Sequence, residues 1–291
     1  MKEQTFILEN FKSFEPRHIF ECGQCFRWNV EDDESYTGIF GNNVLNVKKD
    51  GNKIIFKGLT DGNIIKICSE YFDLDTNYDL IKNELSNIDN FLKTSIQYGE
   101  GIRILKQDLW ETIISFIISA NNNIPRIKGI IERISKKYGN EIEWNDKKYY
   151  TFPTIEQLSK ASVEDLRELG LGFRDKRVYD TCKIFMNNEM TLDELENEKD
   201  LNILKEKLLT LPGVGGKVAD CILLFGMHKF EVFPIDVWVR RVMNELYIKN
   251  VDETKVKKEE ILDLANNKYK NLAGLAQQYL FYWKREESKG A

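Results

Sequence analysis

From about Tyr98 onward, apolar residues recur close to the helical period of about 3.6 residues. Segments with this spacing cover Asp108–Ala120, Ile124–Tyr138, Ile155–Lys160, Val163–Leu169, Arg174–Asn187 and Asp200–Leu209. Val218–Phe225, Val237–Leu246, Lys255–Asn267 and Leu272–Lys284 continue the series. Gly, Pro, Asn or Asp separates most of them, so a succession of helices is predicted. The first hundred residues have another texture. "YTGIFGNNVLNVKKDGNKIIFKGL" alternates as strands, with "GNN" and "KDGN" as turns, and "CFRWNV" before it suits a further strand. The pattern predicts an α+β fold: a small α+β unit over residues 1–98, then a larger all-α region over 99–291, with no repeats and no low-complexity tract.

Composition changes this picture little. A chain of 291 residues, 42% hydrophobic and 31% charged, has room for two or three packed units and reads as an ordinary soluble protein. The longest apolar run, "ETIISFIISA", is too short to span a bilayer. The N-terminus lacks the apolar stretch and cleavage site of a signal peptide. Five scattered cysteines point to reduced thiols in a cytosol-like compartment. Cys22 and Cys25 form a lone C-x-x-C, and with only His18 and His228 in the chain a zinc site or histidine triad is poorly supported.

A net charge of −5 does not advertise a nucleic-acid ligand. The charge is segregated, however. "EDDE" (31–34) and "TLDELENEKD" (191–200) are acidic, whereas "PRIKGIIERISKKYG" (125–139) and "FRDKR" (173–177) are basic. A basic face on an acidic protein still admits DNA.

Candidate chemistry centres on "LPGVGGKVAD" (211–220). A phosphate-binding P-loop would place glycine at position 211 and Ser or Thr after Lys217; the chain has Leu211 and Val218, and the preceding segment has helical rather than strand spacing. What remains is helix, glycine turn, helix: a plain αα-corner or a helix-hairpin-helix. In the second case the N–H groups of Gly213, Val214, Gly215 and the next helix's first turn form an anion site suited to a DNA phosphate. Downstream, in "VFPIDVWVRRVMNEL", Pro234 ends what precedes it and Asp236 falls where a helix N-cap belongs. Lys217 and Asp236 thus each start a helix, and the intervening helix can bring them together.

"LPGVGGKVADC" followed by "VFPIDV" resembles the helix-hairpin-helix, Gly/Pro…Asp (HhH-GPD) superfamily of DNA glycosylases. "GQCFRW", "SANNNIPRI", "LGLGFRDKRV" and "LAQQYLF" occur in order and are similar to segments of the 8-oxoguanine DNA glycosylase/lyases. The resemblance spans nearly the whole chain. It implies an N-terminal antiparallel-sheet domain, TBP-like, packed on a two-lobed all-α core with its hairpin at 209–217. It implies a bifunctional base excision repair enzyme that flips 8-oxoguanine out of duplex DNA, excises it, and cleaves the abasic strand.

By that resemblance Lys217 is the nucleophile and Asp236 the carboxylate that stabilises the sugar cation. Cys221 and Phe281 sandwich the flipped base, Gln277 reads its Watson–Crick edge, and the Gly23 carbonyl accepts from N7–H. Asn121 fills the space left in the duplex, Arg126 and Arg174 contact the estranged cytosine, and Phe173 is the wedge. Carbonyls of Leu209, Leu211 and Val214 are implied to hold a structural monovalent or calcium ion. Trp238 and Lys284 depart from the animal-type enzymes, which carry histidine and aspartate there. No cysteine follows Cys221, so the C-terminal iron–sulphur cluster of some relatives is not expected, and no cofactor is required. The resemblance further implies a monomer acting on double-stranded DNA in the cytoplasm of a bacterium, or in the nucleus of a eukaryote. Two other readings are a same-fold glycosylase for a different damaged base and a non-catalytic DNA-binding module; the latter needs neither the Lys217–Asp236 pair nor a base pocket.

Overall fold

The computed structural model describes residues 1–252 and 255–290. Strands β1 (Lys2–Glu9), β2 (Trp28–Val30), β3 (Tyr36–Phe40), β4 (Asn43–Asp50) and β5 (Lys53–Thr60) form one antiparallel sheet in the order β1-β5-β4-β3-β2. The turns predicted at "GNN" and "KDGN" join β3 to β4 and β4 to β5. One sheet face closes over Phe14, Phe20, Trp28, Tyr36, Phe56 and Phe72, with Phe20 stacked on Trp28 at 4.0 Å.

Of the strand expected over "CFRWNV", only its second half forms. The first half is drawn away by polar side chains that bond elsewhere. Gln24 donates to the Arg103 carbonyl at 2.7 Å and accepts from Leu105 N–H at 2.8 Å. Arg27 donates to Ser135 Oγ at 2.8 Å and to the Tyr150 carbonyl. This detour carries Gly23 off the sheet.

Helix α1 (Pro16–Glu21) lies between β1 and β2, and α2 (Ile64–Tyr71), α3 (Tyr78–Ser86) and α4 (Asn90–Tyr98) follow the sheet. Then come α5 (Leu109–Ser119), α6 (Ile124–Tyr138), α7 (Ile155–Leu158), α8 (Val163–Glu168), α9 (Asp175–Met186), α10 (Leu192–Asn197), α11 (Leu201–Leu209) and α12 (Gly216–Gly226). Last are α13 (Val237–Met243), which continues into a π-helical turn Asn244–Ile248, α14 (Lys258–Tyr269) and α15 (Ala273–Gly290).

Two features differ from the sequence expectation. The region expected to be all-α contains a two-stranded ribbon, β6 (Glu141–Trp144) and β7 (Lys147–Tyr150), which buries Ile142 and Trp144 against the outer face of the sheet beside Ile39 and Val44. And the cores do not divide at residue 98: Tyr78, Leu85, Leu92 and Ile96 of α3 and α4 are buried in the helical core, which runs without a break through both expected lobes.

Candidate active site

Helices α11 and α12 flank the glycine turn. Val214 N–H donates to the Leu211 carbonyl at 3.0 Å, and Gly213 takes φ +82, a backbone angle that side chains disfavour. Gly215 is the N-cap of α12 and brings no capping side chain; a Cβ there would meet nothing within 4 Å. Space is therefore open at the Gly215 cap, the positive end of the helix, while the Lys258 ammonium stands beside Gly216, where a Cβ would come within 2.6 Å of its Nζ. Val214 N–H is already taken by the turn, so of the three expected phosphate donors only Gly213 and Gly215 remain for an anion. An ion pair from the partly exposed Lys205 Nζ to the buried Asp220 Oδ1, at 2.5 Å, ties the two hairpin helices together.

Lys217 sits half-buried in that first turn. Its Nζ lies 5.6 Å from the centre of the Phe116 ring on α5, and Phe116 packs on Phe26, just past Gly23, at 5.5 Å. One turn along α12, Cys221 is buried, and that burial pushes its thiol up to about 11. The Lys217 ammonium opposes the rise, while the carboxylates of Asp220 and Asp236 add to it. Cys221 is thus a neutral thiol near pH 7 that feels both the Lys217 charge and the Asp236 carboxylate. Asp236 caps α13, its Oδ1 accepting from Val239 N–H at 2.8 Å.

The far ends of the chain meet at Gly23. It holds φ +90, and a Cβ there would lie 3.6 Å from Phe281 Cε1. Phe281 is partly buried on α15. Gln277, one turn earlier on that helix, is 4% exposed, and its Oε1 accepts from Gln278 Nε2 at 2.7 Å. Gly274 N–H donates to the Phe230 carbonyl at 2.7 Å, anchoring the start of α15 to the chain leaving α12.

The residues expected at the opposite base form a second group. In "NNN", Asn121 takes φ 52 and is exposed, Asn122 Nδ2 closes the end of α5 on the Ile118 carbonyl at 3.1 Å, and Asn123 caps α6. Arg174 is 1% exposed and donates to the carbonyls of Ala120 and Asn121, both at 2.6 Å from Nη2, and of Leu171 at 3.3 Å. In the free protein Arg174 therefore holds the Asn121 turn. Arg126 stays exposed, its Nη2 3.3 Å from the Gly170 carbonyl. Phe173 is 55% exposed and flanked by two guanidiniums, Arg174 at 4.1 Å and Arg177 at 5.0 Å. The Arg177 stem packs across Gly213, where a Cβ would come within 2.5 Å of Cδ. Phe173, the asparagine turn and the hairpin thus form one continuous edge.

Trp238 and Lys284 line a cavity of about 600 Å³ with Arg241, Glu245 and Glu287. Lys284 pairs with Glu245 at 2.8 Å and with Glu287, so its charge is neutralised locally. Trp238 Nε1 is buried without a hydrogen-bond partner among the described residues. Around the hairpin the expected ion would find only neutral carbonyls, and that of Leu211 already accepts from Val214. Such donors fit a weakly held monovalent cation better than calcium, which takes carboxylates.

Phe116, Arg177 and Arg285 escaped the sequence reading. Phe116 lies inside the longest apolar run, where nothing separates it from core. Arg285 did carry a signal: Gln277, Phe281 and Arg285 follow one another at one-turn spacing on one helical face.

Residues 7–113 match the family described as 8-oxoguanine DNA glycosylase, N-terminal domain. Residues 114–266 match the family described as HhH-GPD superfamily base excision DNA repair protein. The chain is similar to the crystal structure of Clostridium acetobutylicum 8-oxoguanine glycosylase/lyase in its apo-form, with 43% identity and a TM-score of 0.90 over 97% of each chain. It is similar to the same protein in complex with double-stranded DNA containing cytosine opposite 8-oxoG, with 42% identity and a TM-score of 0.92 over 99% of this chain and 98% of that one. The N-glycosylase/DNA lyase of Saccharomyces cerevisiae is 32% identical over 263 residues, covering 79% of this chain and 67% of the yeast protein. The chain belongs to the HhH-GPD superfamily of base excision DNA repair proteins, in the branch that carries the 8-oxoguanine DNA glycosylase N-terminal domain.

Proposed function

We propose that this glycosylase/lyase excises 8-oxoguanine from duplex DNA with Lys217 as nucleophile and Asp236 as the stabilising carboxylate, then cuts the strand at the abasic site. The observation that carries this reading is the grouping of Lys217, Cys221 and Asp236 at the start of α12 and α13, with the uncapped hairpin beside them.

The hairpin N–H groups hold a backbone phosphate and so place C1′ of the flipped nucleotide at Lys217. The Lys217 amine attacks C1′ as the glycosidic bond breaks. The bonding pair leaves with the base, which takes up a proton, and the Asp236 carboxylate offsets the positive charge developing on the sugar. Ring opening gives a Schiff base on Nζ; loss of a C2′ proton then expels the 3′ phosphate, and water releases the lysine. Phe281 and Cys221 bound the base, Gly23 offers its carbonyl to N7–H, and Gln277 meets the Watson–Crick edge.

On the other strand, Arg126 and the edge around Phe173 face the orphaned base, and Asn121 fills the gap. The chemistry calls on no cofactor, and a monovalent cation at the hairpin is structural. The protein acts as a monomer on cellular DNA, in bacterial cytoplasm or a eukaryotic nucleus. Single-turnover assays on duplexes carrying 8-oxoguanine or 3-methyladenine test the reading. It predicts release of 8-oxoguanine with strand cleavage; release of 3-methyladenine alone would contradict it and favour the alkylated-base alternative.

A further inference from the structure

One charged side chain enters the base site without a part in the scheme above. Arg285 follows Phe281 by one turn of α15 and shares its face. Its guanidinium carbon lies 5.2 Å from the centre of the Phe281 ring. Nη2 donates to the Glu21 carbonyl, at the end of α1 just ahead of Gly23. Nε and Nη2 reach the Glu286 carboxylate at 3.4 and 3.3 Å, and Arg17 braces that carboxylate from outside at 3.5 Å. Nη1 is different: it is buried, and no hydrogen-bond partner reaches it among the described residues. A Cβ built on Gly23 would lie 3.7 Å from it.

A guanidinium placed for the sake of its own hydrogen bonds does not leave a donor dry, because a buried unpaired N–H is unfavourable. Besides the Glu286 carboxylate and the Tyr282 ring, 5.6 Å away, the placement brings it to two neighbours of the base site: the Phe281 ring, within cation–π range, and the Glu21 carbonyl. The first belongs to one wall of the base slot, and the second belongs to the turn that presents Gly23.

Resting on the base assignment above, the geometry points to Arg285 as a positioning residue for base recognition. It clamps α15 to the Glu21–Gly23 turn and backs the Phe281 ring, and so sets the spacing between Phe281 and the Gly23 carbonyl into which the base must fit. It touches neither Lys217 nor Asp236, so its contribution belongs to excision and not to the lyase step.

The test compares wild type, Arg285→Leu and Arg285→Lys on two duplexes under single-turnover conditions, one carrying 8-oxoguanine and one a preformed abasic site. Misplacing a wall of the slot should slow excision by Arg285→Leu roughly tenfold or more, while cleavage of the abasic duplex stays within about twofold of wild type. Arg285→Lys, which keeps a donor for the Glu21 carbonyl, should recover part of the loss. Equal losses on both duplexes would mark Arg285 as a general structural tie and overturn the proposal, as would unchanged excision in Arg285→Leu. A wild-type protein that cuts the abasic duplex and leaves 8-oxoguanine in place would overturn the base assignment together with this proposal.

Discussion

The Asp236 carboxylate accepts from Val239 N–H at 2.8 Å, so the group assigned to steady the sugar cation is also the N-cap of α13. The two duties can be separated, because asparagine caps a helix about as well as aspartate but carries no charge. Asp236→Asn should keep its melting temperature, with stability changed by no more than about 0.5 kcal/mol, while single-turnover excision falls roughly a hundredfold. Asp236→Ala should lose the rate and about 1 kcal/mol besides. An Asn variant with near-normal excision would confine Asp236 to capping.

Gly23 holds φ +90 beside Phe281. Gly23→Ala forces a side chain into a left-handed backbone angle at a cost of about 1–2 kcal/mol and places a methyl group where the base edge approaches. Excision should fall roughly tenfold or more with abasic-strand cleavage retained. Loss of both activities together, at unchanged stability, would place Gly23 outside the base site.

Arg126 and Arg174 should part company. Arg174 is buried on three carbonyls, so Arg174→Ala should destabilise by about 2 kcal/mol and lower the melting temperature by several degrees. Arg126 is exposed, so Arg126→Ala should melt like wild type yet narrow the rate difference among C, A, G and T opposite the lesion. An unaltered opposite-base profile for Arg126→Ala would remove its assigned readout.

Glu111, in the first turn of α5, has its carboxyl pushed up to about 7 by burial, with Asp108 adding to the rise and the Arg27 charge opposing it. The folded protein then holds a proton that the unfolded chain has already released, so stability should decline as pH rises from the ordinary glutamate value of 4.5 towards 7. Glu111→Gln removes that dependence. It should gain about 1–3 kcal/mol over wild type at about pH 8, with the gap closing near about pH 4. Parallel stability curves for the two proteins would contradict the assignment.

Features written in local residue order were legible in the sequence. The hairpin follows from "LPGVGG" because glycine and turn geometry act over a few residues, and the Asp236 cap follows from Pro234 and the helix behind it. The β3–β5 meander was likewise announced by its turns. What depended on distant partners was not. β1 reads as strand only once β5 is beside it, and "CFRW" leaves the sheet because Gln24 and Arg27 bond to residues far along the chain. Helix α4 joins the helical core by packing on α15, and α3 by packing on α4, contacts that no local pattern records. Nor does an arginine next to a phenylalanine disclose which of the two is buried: Arg174 is and Phe173 is not.

Everything assigned to the α12 hairpin turns on Lys217 as the amine that bonds to the sugar. Borohydride reduction during reaction with an 8-oxoguanine duplex tests it most directly, by converting the Schiff base to a stable covalent adduct. Wild type should give a trapped complex and Lys217→Gln none, and the modified peptide should map to residues around Lys217. Trapping that persists in Lys217→Gln would contradict that assignment.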